Sequence, residues 1–156
     1  MFNTLLNTPG VSFYAIPAAW ISVFLPFFQK RNMLVNLKHM HYDNVVPRRN
    51  ADAFKRDTVL PKEFVATCAK LEGAHQNGLE TFPVFVAAVL AGNVASLDTR
   101  TLNIASISYV LARLAYNYAY VNAKTDGQGF ARTGAWVTSL GICFYVLVKA
   151  GKALRP

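Results

Sequence analysis

The chain has 156 residues, 53% hydrophobic, 13% aromatic and only 15% charged, a length that fits one unit and a balance too apolar for an ordinary soluble domain. Its 16 Lys and Arg against 8 Asp and Glu give a net charge of +8, yet eight of the basic residues lie between Lys30 and Lys62 and none precedes Lys30. That distribution fits a cytoplasmic loop between membrane spans and argues against a nucleic-acid groove.

No charged side chain occurs in the first 29 residues, and residues 11–28 (VSFYAIPAAWISVFLPFF) form the first candidate span. A spanning helix needs ~20 mainly apolar residues. With no basic n-region ahead of it, this segment reads as a retained span and not as a cleaved leader. Pro17 and Pro26 are expected to kink or end it, which membrane helices tolerate where neighbours satisfy the freed carbonyls. The basic loop, residues 29–63, follows. Within it, YDNVVPRRNADAFKRD contains Asp43-Asn44 and Pro47, which is turn chemistry. Two readings stand for this stretch: order against the bundle, or a solvated surface loop.

The second span is placed at residues 64–95, polar in its early half and apolar later. Cys68 falls within it. Small residues Ala87, Ala88, Ala91 and Gly92 would permit close helix approach between subunits. A polar turn at 97–100 leads to a third span, residues 101–122, whose one charge is Arg113. After a Gly-containing loop at 124–129, the fourth span covers residues 130–150 and has no charge from Thr133 to Val148. Cys143 lies there. Two cysteines are too few for a disulfide framework and form no CxxC pair, so both are read as buried thiols and no metal site is expected. The whole chain, 1–156, therefore reads as one all-α domain, a four-helix transmembrane bundle. The positive-inside rule puts loop one and the loop near 124–132 on the cytoplasmic side and both termini opposite. Lys149, Lys152 and Arg155 count against that orientation.

The polar residues of the spans form stripes. Lys70, Gly73, Asn77 and Glu80 fall at steps of three, four and three, which places them on one helix face. Arg113, Tyr116 and Tyr120 repeat at three and four, again on one face. Arg132 and Thr133 follow the Gly-rich turn, with Trp136 one turn on. In an up-and-down bundle all three stripes lie at the same depth. Taken singly, each residue has a structural reading: Arg113 as the buried ion-pair partner of Glu80, the tyrosines as interface anchors. Jointly, the cluster has more Arg and Lys than carboxylates, so the missing partner should be an anion. Ionisable groups inside a membrane usually face a bundle interior or a water-filled site.

AHQNGLETFP, the Arg113-x-x-Tyr116-x-x-x-Tyr120 spacing and the FARTGAW block together resemble the MAPEG family, the membrane-associated proteins of eicosanoid and glutathione metabolism. The likeness covers three helices in order and extends weakly to the first. It implies a homotrimer of four-helix membrane subunits with glutathione bound between adjacent subunits near the cytoplasmic face. In a eukaryote it implies the endoplasmic reticulum or a related endomembrane. Carried over by position, Glu80 would hold the amino group of the tripeptide, and Asn77 its backbone or carboxylate. Tyr120 matches a glutathione-contacting tyrosine, and Tyr116 and Arg113 stand in the same stripe. Arg132 matches the arginine assigned to stabilising the thiolate, and Thr133 takes the place of a neighbouring serine. Gly73 departs from the pattern, standing where better-known members have an arginine; Gln76 replaces another, and Lys70 is the candidate substitute. Lys30 and Arg31 are candidates for the helix-one arginine. The resemblance implies a glutathione-dependent transferase or peroxidase acting on lipophilic electrophiles or hydroperoxides. The rival reading is a non-catalytic interaction or regulatory protein that keeps the fold, and Gly73 is the feature that supports it.

Overall fold

The computed structural model describes residues 2–37, 42–47, 49–57 and 59–155. These form helices α1 (Phe2–Asn7), α2 (Val11–Val35), α3 (Arg49–Arg56), α4 (Lys62–Val94), α5 (Thr99–Asn122) and α6 (Asp126–Ala153), with no strand among the described residues. Local chemistry sets the helix ends. The Asp98 carboxylate accepts the Thr101 N–H at 2.8 Å and starts α5. Thr125 and Gln128 form a capping box that starts α6. Lys70 of α4 donates to the Ala123 carbonyl at 2.5 Å, placing a cation on the C-terminal end of α5.

Neither proline ends α2, which runs well past Phe28 to Val35. Pro26 has no N–H, so the Ser22 carbonyl loses its helical donor. The Asn117 side-chain amide of α5 donates to that oxygen at 2.7 Å. The next carbonyl, Val23, accepts from the His75 ring at 2.8 Å. A carbonyl can only accept, which fixes the proton on Nδ1. Two neighbouring helices thus supply the donors a membrane interior cannot.

The described part of the basic segment packs against the bundle. Phe54 of α3 and Leu60 are buried on Leu34. Asn50 ties the preceding turn together, donating to the Asp43 and Pro47 carbonyls at 2.9 and 2.8 Å and accepting from the Asp43 N–H. Lys30 and Arg31, expected in a loop, continue helix α2, and Lys30 forms an ion pair with Glu72 of α4.

The four long helices pack most extensively as α5 on α6 and α2 on α4. Their core stacks Phe85 on Tyr109 at 3.9 Å among Ala15, Ala19, Val89 and Val146. A Cβ on Gly92 would lie 2.7 Å from the Leu102 side chain and 3.1 Å from that of Val146, so α4 packs closely on α5 and α6 here. Ala88 and Gly92 are therefore used inside the subunit, which corrects their assignment to a surface between subunits; Ala87 is exposed. At the far end, buried Asn103 donates to the Leu6 and Thr8 carbonyls and accepts the Ser12 N–H, pinning α1 and the start of α2 to α5.

Helices α2, α4 and α6 are long and apolar enough to cross a membrane. Helix α5 has 24 residues but is more polar. Its polar groups point inward: Asn103, Ser106 and Arg113 are buried, whereas Ile104, Leu111 and Leu114 are exposed.

Candidate functional site

Helix α4 runs antiparallel to α5, so its polar first half lies beside the C-terminal half of α5 and the start of α6. The Lys70 contact to Ala123 marks this level. A cavity of about 220 Å³ opens here, lined by Asn77, Tyr116, Tyr120, Arg132, Thr133 and Trp136. A second hollow of about 550 Å³ shares Tyr120, Arg132 and Thr133 and adds Lys70 and the turn into α6. Together they fall within the ~300–1,000 Å³ typical of small-molecule sites.

Two cations bracket a pair of aromatic rings beside this cavity. The Arg113 guanidinium lies over the Tyr116 ring at 4.3 Å, Tyr116 meets Tyr120 edge-on at 5.5 Å, and the Arg132 guanidinium lies over Tyr120 at 4.8 Å. The negative ring faces hold both guanidinium groups in place without neutralising them. Arg113 is 1% exposed and donates from Nη1 to Asn77 Oδ1 at 3.1 Å. Arginine only donates, so Asn77 must turn its oxygen to Arg113, which leaves its NH₂ donors for the cavity.

Arg113 is not paired with Glu80, the structural alternative that the sequence offered. Glu80 sits on the exposed side of α4 and does not line the 220 Å³ cavity. Lys70 lines the larger hollow, but its ammonium already donates to Ala123 and, at 3.5 Å, to Val121. The Thr133 hydroxyl donates back to the Gly129 carbonyl at 3.1 Å, a common helical arrangement that offers the cavity an acceptor and not a donor. Lys30 and Arg31 lie away from this cavity: Lys30 on Glu72, Arg31 over the Tyr42 ring at 5.8 Å.

Trp136, one turn on from Arg132 and Thr133 in the sequence stripe, lines the cavity too, although the resemblance assigned it no role. Two buried donors have no partner among the described residues, Trp136 Nε1 and Arg113 Nη2. Such atoms cost free energy unless a ligand or water meets them. A Cβ on Gly73 would lie 2.5 Å from the Tyr120 hydroxyl, so the phenol occupies the space that a side chain at 73 would need.

The smaller cavity is lined by cationic, aromatic and amide groups without a carboxylate, and in the larger hollow Lys70, Lys124 and Arg132 outnumber Asp126, a positive balance that suits an anionic ligand. No curated protein matches the chain. The model of the MAPEG family matches residues 14–152. With three apolar spanning helices beneath a match of that extent, the chain is an integral membrane protein that belongs to the MAPEG family.

Proposed function

We propose that the protein is a glutathione-dependent transferase or peroxidase acting on lipophilic electrophiles or hydroperoxides, in line with the glutathione and eicosanoid roles of its family. The observation that carries this reading is the cavity that gathers Asn77, Tyr116, Tyr120, Arg132 and Trp136 at one level of the bundle. Those residues fit a ligand with carboxylates and an ionisable thiol. Asn77 would donate to a carboxylate with the NH₂ that Arg113 leaves free. Tyr120, held between Gly73 and Arg132, would line the tripeptide. Arg132 would hold negative charge at the sulfur, since a guanidinium within reach favours the charged form. Bound glutathione would supply the thiol that adds to an electrophile or reduces a hydroperoxide.

Two further elements belong to the reading. Helix α5 crosses the membrane as the fourth span, because it turns its polar groups inward and leucines outward. The active assembly is a homotrimer, and the exposed Glu80 meets the ligand's amino group where subunits adjoin.

Binding to the folded state alone raises stability by ~2.7 kcal/mol at one hundred times Kd. Glutathione should therefore raise the melting temperature of the detergent-solubilised protein, and Glu80→Gln should reduce the shift strongly. An unchanged shift in that variant removes Glu80 from the site; no shift in the wild type removes the whole reading. The non-catalytic alternative is favoured by Gly73 and by the backbone-bonded Thr133 hydroxyl. Binding without turnover of any electrophile or peroxide would decide for it.

A further inference from the structure

Helix α4 separates two hollows. One is the cavity just described. The other is a chamber of about 490 Å³ between α2, α3 and α4. Its lining is graded. One end is apolar, built by Leu34, Phe54, Phe64 and Val65; the other presents the Lys30–Glu72 ion pair and Gln76. Along α4, residues 65, 69, 72 and 76 fall at steps of four, three and four. The gradient therefore follows one helix face over roughly 16 Å at 1.5 Å per residue. A hollow of that form suits a single hydrocarbon chain with a polar group at one end.

Gly73 lines the polar end of this chamber. It is also where the wall is thinnest, because no side chain separates the chamber from Tyr120, whose hydroxyl rests 2.5 Å from the position of a Cβ. Tyr120 in turn lines both hollows on the far side. We propose that the chamber binds the lipophilic acceptor, tail beneath α3 and reactive polar end at Gly73, and that this end reaches the thiol past Gly73 when the Tyr120 phenol swings aside. The proposal rests on the glutathione reading above. For an α,β-unsaturated aldehyde the step is an addition. The sulfur–carbon bond forms at the β-carbon, the C=C π bond breaks, the thiol proton ends on the α-carbon, and nothing leaves. Gly73 thereby changes from a lost cationic contact into a determinant of acceptor choice.

Cys68 is half-buried in the chamber wall and reports on it without any glutathione chemistry. In lipid nanodiscs, N-ethylmaleimide alkylation of Cys68 in the wild-type protein would be followed by peptide mass spectrometry. Dodecan-1-ol at ten times its Kd should slow the reaction about tenfold, because only the unoccupied fraction reacts. Butan-1-ol should not protect. Equal rates with and without the long alcohol overturn the chamber. The second arm compares glutathione-dependent turnover of dodec-2-enal and but-2-enal, which share a reactive end and differ in the tail. The wild type should prefer the long aldehyde, and Val65→Trp, which fills the tail end, should lower that preference roughly tenfold or more. A preference that survives in a Val65→Trp protein with an intact glutathione thermal shift overturns the assignment of the tail. Protection of Cys68 with no turnover of either aldehyde leaves the lipophile chamber standing, and overturns both the transferase reading and the Gly73 passage.

Discussion

Arg113 and Arg132 carry the same charge and face neighbouring rings, but their surroundings give them different tasks. Arg113 is fully buried and fixes Asn77 from behind. Arg132 is partly exposed, lines both hollows and has a ring on one side only. Arg132 is therefore the guanidinium that is free to meet a developing charge. A free thiol titrates near ~8.5, so little thiolate exists at neutral pH without help. Replacing Arg132 with Leu removes one charge-assisted contact of ~1.5–3 kcal/mol, a rate loss of roughly 10- to 150-fold at neutral pH. Glutathione binding should fall less than turnover, and the variant should recover part of its rate at high pH. A variant that keeps the wild-type rate at pH 7 takes the thiolate role from Arg132 and passes it to Arg113.

At the scale of elements, α2 depends on its neighbours. Pro26 would leave the Ser22 carbonyl without a partner were it not for Asn117. Asn117→Leu keeps the volume and removes the donor, and an orphaned buried acceptor costs about 1–3 kcal/mol. Chemical denaturation of the variant should show a loss of that size; an unchanged midpoint would mean that the carbonyl finds another donor. The start of α5 carries a pH dependence. The Thr101 N–H, first by its backbone hydrogen bond, holds the Asp98 carboxyl below the usual carboxylate range. A depressed folded-state pKa means that the cap stabilises fully above the unfolded carboxylate pKa and fades as pH falls through the folded value. Asp98→Ala should thus lower the melting temperature at neutral pH, and the gap from wild type should close in acid. A gap that stays constant to low pH would show that the carboxylate charge plays no part. These two elements also show what the sequence could and could not reveal. Three of the four expected spans were legible because hydropathy is local, and the meeting of Asn77, Tyr120 and Arg132 because helical spacing brings them to one depth. The continuation of α2 through Pro26 was not legible, since its donors come from Asn117 and His75 on other helices. Nor was the Arg113–Asn77 bond in place of Arg113–Glu80. Glu80 is one turn beyond Asn77, and which of the two meets a long guanidinium depends on helix rotation, which spacing alone leaves open.

At the scale of the whole molecule, the up-and-down order of the four long helices sorts charge between the two ends. One end gathers the C-terminal half of α2, the basic segment with α3, the start of α4 and the turn into α6, as the Lys30–Glu72 and Lys70–Ala123 contacts show. The other gathers the start of α2, the end of α4 and the start of α5, joined by Asn93 to Ser12 and Asn103 to Leu6. Lys149, near Asp98, places the end of α6 there too. Lys30, Arg31, Arg49, Arg56 and Lys62 stand at the first end, and Lys70, Lys124 and Arg132 add to them. Arg100, Lys149, Lys152 and Arg155 stand at the other. The positive-inside rule then predicts that the candidate site lies on the cytoplasmic side, where the glutathione proposed above would have access from the cytosol. Of the two loop positions suited to labelling, Lys38 lies outside the described residues, whereas Arg49 is exposed on α3. Arg49→Cys in a Cys68→Ser background should react with a membrane-impermeant maleimide in cells whose plasma membrane alone has been permeabilised. Leu5→Cys, on the exposed side of α1, should react only after the inner membranes are opened. The reverse pattern would invert the protein, place the cavity on the luminal side and make the C-terminal Lys149, Lys152 and Arg155 the charges that set its orientation.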